Sequence, residues 1–212
     1  MNKVLYIILI SLFSFTIFSC GKKEESTSSS SSSGTTTTTT DETTTSSSGS
    51  GVFVAVGASG NIVRSTDNGS SFDNVTSPTG NRLWGVTFAN NTFVAVGDSG
   101  NIVRSTDNGS SWDNATTDNS TGNTLRGVTF GNNTFVAVGL SGTIVRSTDN
   151  GSSFDNETSP TGNELMGVGF GNNTFVVVGL SGNIVRSTDN GSSWDNVTSP
   201  TGNHLWEVGF SE

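Results

Sequence analysis

An eight-residue stretch, Ser65-Thr66-Asp67-Asn68-Gly69-Ser70-Ser71-Phe72, returns almost letter for letter at residues 105–112, 147–154 and 187–194. One turn used four times obliges the chain to build one structural unit four times. The aspartates, Asp67, Asp107, Asp149 and Asp189, and the glycines, Gly69, Gly109, Gly151 and Gly191, are the same in every copy. A short carboxylate accepts backbone N–H bonds across its own turn, and glycine supplies positive φ, so these eight positions read as structural, with the closing aromatics Phe72, Trp112, Phe154 and Trp194 expected to pack under the turn. Repeat symmetry spreads the four acids apart, whereas catalysis or metal binding needs them at one point. The Asp-Asn-Gly fragment also lacks the further acidic positions of a calcium loop, so neither a metal nor a cofactor is expected.

Between the turns the pattern is short strands, with no helical periodicity. In the unit that begins at residue 83, strand a covers 83–88, an Asn90-Asn91 turn follows, and strand b covers 92–97. Strand b is apolar on both faces, as a strand buried between neighbouring sheets should be. A Ser99-Gly100 turn leads to strand c at 102–106, and Asn108-Gly109, a strong hairpin signal, leads to strand d at 111–114. Phe53, Phe93, Phe135 and Phe175 mark the repeat, 40, 42 and 40 residues apart. Four strands at that period predict an all-β fold, a β-propeller of four-stranded antiparallel blades. The first unit opens on a strand b at 52–57, and residues 205–210 read as a strand a. That last strand is expected to complete the first blade, closing four blades into a ring without a free edge. A monomer follows from this closure; the alternative is a dimer pairing two such halves into an eight-bladed ring.

The octet resembles the Asp-box of the BNR-repeat propellers, the superfamily that includes the sialidases. The repeats are also similar to those of photosystem II stability factors, propellers that chaperone membrane complexes. The resemblance implies either a glycosidase or a binding scaffold. Sialidases use a tyrosine nucleophile, an arginine triad and an acid/base pair, and the sole tyrosine here is Tyr6, ahead of the repeats. An unorthodox hydrolase built on Glu164 and His204 is the residual enzymatic reading, and no catalytic residue is assigned. The stability factors carry a basic patch that this acidic domain does not match. Arg64, Arg104, Arg146 and Arg186 recur at one position beside the octet, which suits a blade-to-blade fork better than a substrate clamp.

Ahead of the repeats, Lys3 precedes an apolar run over residues 4–18. About 15 residues fall short of the roughly 20 a membrane span needs and suit a secretory signal. Ile17-Phe18-Ser19-Cys20 resembles a bacterial lipobox, which makes 1–19 a lipoprotein signal peptide and Cys20 the lipid attachment point. Cys20 is the only cysteine, so no disulfide forms within the chain. Residues 20–51 are Ser/Thr-rich and cannot bury apolar surface, so they read as a disordered tether; 52–212 is the propeller. Removal of Lys3 leaves 8 basic and 18 acidic side chains, a net charge of -10. The repeats contain six Arg and no Lys, which excludes a nucleic-acid footprint. Gly21 follows Cys20 where an aspartate would favour the inner membrane, so the outer membrane is the expected address.

Near-identical units reveal function where they disagree. One position at the start of strand a holds Arg82, Thr124, Glu164 and His204; two residues on, on the same face, stand Trp84, Arg126, Met166 and Trp206. In propellers this strand usually lines the central channel. Arg82, Trp84, Arg126, Glu164, His204 and Trp206 are therefore the candidate binding residues, suited to a sugar-like ligand or a peptide loop. The turn between strands b and c also varies, with Ala58, Asp98, Leu140 and Leu180, the leucines being read as exposed. The expected function is that of a membrane-tethered binding lipoprotein for a glycan or protein.

Overall fold

The structure is a computed structural model that describes residues 51–119 and 122–211. The expected signal peptide, Cys20 and tether lie outside the described residues. No helix among the described residues is long and apolar enough to cross a membrane.

Four antiparallel sheets follow in chain order. The first blade holds β1 (Phe53–Val56), β2 (Ile62–Ser65) and β3 (Asp73–Val75). The second holds β4 (Leu83–Ala89), β5 (Thr92–Gly97), β6 (Ile102–Ser105) and β7 (Asp113–Asn114). After β8 (Thr116–Thr117) the third blade runs through β9 (Leu125–Gly131), β10 (Thr134–Gly139), β11 (Ile144–Ser147) and β12 (Ser153–Glu157). The fourth holds β13 (Leu165–Gly171), β14 (Thr174–Gly179), β15 (Ile184–Ser187) and β16 (Asp195–Val197). Within each blade consecutive strands pair by hairpins, and β8 adds a short parallel pairing on β12. That pairing joins the second blade to the third.

Apolar clusters fill the spaces between successive blades. Ile62 of the first blade packs with Leu83, Phe93, Val103 and Trp112 of the second. Val94, Val96 and Ile102 meet Leu125, Phe135, Val145 and Phe154 of the third, and Val136, Val138 and Ile144 meet Leu165, Phe175, Val185 and Trp194 of the fourth. Burying each such side chain contributes about 1.5–3 kcal/mol, and each of these is shared between two sheets. The two-faced apolarity of strand b has this cause.

The octet turn has the same internal wiring in each copy. Ser105 Oγ donates to Asp107 Oδ1 at 2.8 Å while accepting from the Gly109 amide at 2.8 Å. The Ser111 amide and hydroxyl donate to the two oxygens of Asp107 at 2.9 and 2.6 Å. Asn108 and Gly109 both adopt positive φ, 58° and 78°. The second, third and fourth turns then pack on the preceding blade. Arg64, Arg104 and Arg146 donate from Nε to the carbonyls of Asn108, Asn150 and Asn190, one blade ahead, at 2.6, 2.9 and 2.7 Å. Asn150 and Asn190 reach back from Nδ2 to Thr92 Oγ1 and Thr134 Oγ1, both at 2.7 Å. The arginine is thus a fork between blades, and it points in one direction along the stack.

Two expectations are corrected. Residues 205–210 form no strand, and among the described residues no hydrogen bond joins them to β1. They lie instead along β13: a Cβ added to Gly167 would meet the Trp206 carbonyl at 2.7 Å, and one on Gly171 would overlap the Phe210 ring. Closure of the ring on its own first blade is therefore not seen. Secondly, Phe72 is not packed beneath its turn. Trp112, Phe154 and Trp194 are buried, whereas Phe72 is 47% exposed. Trp112 and Trp194 rest near Phe93 and Phe175, with ring centres 6.1 and 6.4 Å apart. Those phenylalanines are in turn covered by Phe88 and Phe170 of their own inner strands. Among the described residues the first blade has no inner strand, so Phe53 is itself 53% exposed and gives Phe72 no wall.

Hydrogen bonds from the Ser111 hydroxyl and amide hold Asp107 at about 2, below its ordinary 3.8, and Ser193 does the same for Asp189, also about 2. Asp67 is likewise lowered, by Ser71 and Ser65. At Asp149 burial pushes upward, and Ser153 and Ser147 outweigh it. Each folded carboxyl is more acidic than the unfolded one, so the stability it contributes is present above about pH 4 and is lost as pH falls towards 2. Acid titration followed by tryptophan fluorescence is expected to unfold the domain in that window. An Asp107→Asn, Asp189→Asn double variant is expected to melt lower at pH 7 and to show a flatter acid limb. The turn between β10 and β11 gives a second test. Gly142 has φ +70°, and a Cβ there would overlap the Thr161 carbonyl, while Gly162 has open space. Gly142→Ala is expected to cost about 3 kcal/mol in urea unfolding, with Gly162→Ala near neutral.

Candidate functional site

The inner strands β4, β9 and β13 lie side by side, and the variable positions stand at their starts. Trp84, one residue into β4, is 42% exposed. Two guanidinium groups lie over its ring, with Arg82 Cζ 4.7 Å and Arg126 Cζ 4.4 Å from the ring centre. The indole N–H donates to Asp98 Oδ1 at 2.6 Å, which fixes the ring plane. The Thr124 hydroxyl is 3.4 Å from the same oxygen. Arg126 donates from Nε to Glu164 Oε1 at 2.8 Å, with the two side chains 23% and 19% accessible.

Arg82, Trp84, Arg126 and Glu164 therefore form one contiguous row across three blades. Arg82 is exposed and has no carboxylate partner among the described residues. Its N–H donors are free while its plane is held by the indole. His204 and Trp206 form a separate pair on the terminal segment, in edge contact at 6.1 Å, with Trp206 62% exposed. The Ser181 amide donates to His204 Nδ1 at 3.0 Å, which leaves Nε2 as the protonated nitrogen. Among the described residues, the hydrogen bonds and ring contacts of this pair do not reach Arg126 or Glu164.

Asp98 was readable in the sequence only as one of the variable turn positions. Its role as the anchor of Trp84 has a signal there nonetheless, since the one unit with aspartate in that turn has tryptophan at the facing strand position. Leu140 and Leu180 in the equivalent turns are half-buried, not exposed. Their backbones are drawn in by amide bonds to the Thr124 and Glu164 carbonyls, both 2.9 Å. Among the described residues there is no group of three or more His, Cys, Asp or Glu side chains able to hold a metal ion.

No family model matches the sequence, and no curated protein sequence does so. Solved structures match the fold. A structure of YCF48 bound to D1 peptide superposes with a TM-score of 0.56 at 18% identity, covering 69% of this chain and 50% of that one. YCF48 from Cyanidioschyzon merolae gives 0.55 at 17% identity over 74% of this chain and 57% of that one. A catalytically inactive virginiamycin B lyase from Staphylococcus aureus, with quinupristin, gives 0.57 at 21% identity, 74% of this chain and 58% of that one. These are β-propellers, and so is the fold of this chain. The chain spans about half the length of these solved propellers.

The Arg126–Glu164 pair keeps 23% and 19% of its side chains in contact with water, and water-accessible pairs are worth about 0–1 kcal/mol. Glu164→Gln is accordingly expected to change unfolding free energy by less than about 1 kcal/mol, measured by urea titration. A larger loss would assign the pair to the scaffold.

Proposed function

We propose that this chain is a non-enzymatic binding protein, tethered to the outer membrane by lipid on Cys20, whose inner-strand row receives a glycan or protein ligand carrying a carboxylate. The carrying observation is the half-exposed Trp84 indole with two guanidinium groups over its ring. The part of the indole that the guanidinium groups leave uncovered offers apolar area to a ligand, and Arg82 beside it offers an unpaired fork for a carboxylate. Arg126 is held by Glu164, so it orients Trp84 and leaves Arg82 as the ligand-facing charge. The same pairing occupies Glu164, which weighs against the hydrolase reading, as does the absence of a tyrosine from the repeats. The acidic surface elsewhere restricts anionic ligands to this row. An assembly role for a membrane complex is the neighbouring reading, supported by the likeness to YCF48, whose structure holds a D1 peptide.

The test is retention of envelope proteins and binding to a glycan array by the purified chain. Arg82→Ala and Trp84→Ala are each expected to reduce binding about tenfold or more without changing the circular dichroism spectrum. Unchanged binding in both variants would remove the row from the proposal, and turnover of a fluorogenic sialoside that Glu164→Gln abolishes would replace it with an enzyme. For the anchor, Cys20→Ala is expected to move the protein from the membrane to the soluble fraction; the same distribution in both forms would contradict lipidation.

A further inference from the structure

The two ends of the blade stack carry matching sets of unfilled positions. At the first blade, β1 has no inner strand beside it among the described residues. Ala55 is exposed where Ala95 and Ala137 are fully buried, and Phe53 is 53% exposed where Phe93, Phe135 and Phe175 are 7% or less. The octet turn of this blade is also uncovered: Gly69 is exposed, while Gly109, Gly151 and Gly191 are buried against the preceding blade. At the other end, Arg186 is exposed and has no hydrogen-bond or ion-pair partner among the described residues, unlike Arg64, Arg104 and Arg146. Thr174 and Val176 are half-buried where Thr134 and Val136 are buried. A small groove of about 70 Å³ opens there, lined by Phe170, Thr174, Val176, Val208 and Phe210. Phe210 is 54% exposed.

Each vacancy at one end is the partner that the repeat calls for at the other. In the second blade β4 pairs with β5 as Leu83 with Gly97, Val86 with Ala95 and Phe88 with Phe93. Transposed by the repeat, residues 205–210 meet β1 as Leu205 with Gly57, Val208 with Ala55 and Phe210 with Phe53. Likewise Arg186 reaches the Asn68 carbonyl, and the Asn68 amide reaches Thr174. The first octet turn would then cover Val176 as the fourth covers Val136, which lies 3.2 Å from a Cβ added to Gly191.

We infer that these ends close on a second copy of this chain, two copies joined tail to head by a twofold axis into one eight-bladed ring, each supplying residues 205–210 as the inner strand of its partner's first blade. The choice of a second copy over the chain's own first blade rests on the ends of the single chain, which do not pair with each other: residues 205–210 lie along β13 and, among the described residues, make no hydrogen bond to β1, while each end presents what the other lacks. A closing strand also removes the open β1 edge, which would otherwise recruit strands without limit.

The test uses full-length chains with Cys20→Ser, so that engineered cysteines are the only thiols. One chain carries Phe53→Cys, the other Phe210→Cys, and the two are coexpressed and oxidised. A covalent dimer is expected from the pair, with each single variant alone remaining uncrosslinked. In a chain bearing both cysteines a dimer bridged twice is expected. An internal bridge within a monomer would overturn the inference in favour of self-closure, a ladder of higher species would overturn the closed ring, and no bridge at all would overturn both joints. Arg186→Ala, an exposed substitution, is expected to lower crosslink yield several-fold with the circular dichroism spectrum unchanged. Binding by the inner row is measured separately, so failure of either result leaves the other standing.

Discussion

The bond on which the fold depends is the one from a repeat arginine to the asparagine carbonyl of the next octet turn. It is charge-assisted, it is made at 2.6–2.9 Å in three successive joints, and it fixes where each turn sits on the sheet before it. The carbonyl is available because Asn108 and its equivalents adopt positive φ, and the turn keeps that shape because the aspartate ties its own serines down. Sequence, turn and joint are thus one chain of causes. The apolar clusters then fill the space that the joint defines, and none of them belongs to a single blade.

That dependence gives the stack a direction and two unlike ends. Interior blades are covered on both sides, so Ala95, Ala137, Val136 and Phe135 are fully buried. Blades at the ends keep the same residues and lose the cover, which is why Phe53, Phe72 and Phe210 are among the most exposed large apolar side chains.

Strand b was legible to the residue at 92–97, because an apolar run between an Asn-Asn turn and a Ser-Gly turn leaves little choice. The octet's structural role was legible for a different reason, since four identical copies cannot converge on one substrate. Ring closure was not legible. Residues 205–210 have the composition of an inner strand, but whether a strand pairs depends on the curvature accumulated over four blades, and no local pattern carries that. Phe72 was misread for the same reason, its repeat position being right and its wall missing. In the candidate row, variation among the copies marked Arg82, Trp84, Arg126 and Glu164, while the grouping of His204 with Trp206 apart from them required the geometry. The anchoring of Trp84 by Asp98 needed it too, because it joins a strand to a turn 14 residues away.

If the joint between blades sets the fold, the same substitution must differ in cost according to whether a following blade is present. The direct measurement is the urea unfolding free energy of Arg104→Met and of Arg186→Met in dilute, dissociated chain. The expected result is a loss of about 1.5–3 kcal/mol for Arg104→Met, the worth of a hydrogen bond from a charged group, and a change within about 0.5 kcal/mol for Arg186→Met, as for an exposed site. Equal losses at the two positions would contradict it, placing the role of the arginine inside its own sheet.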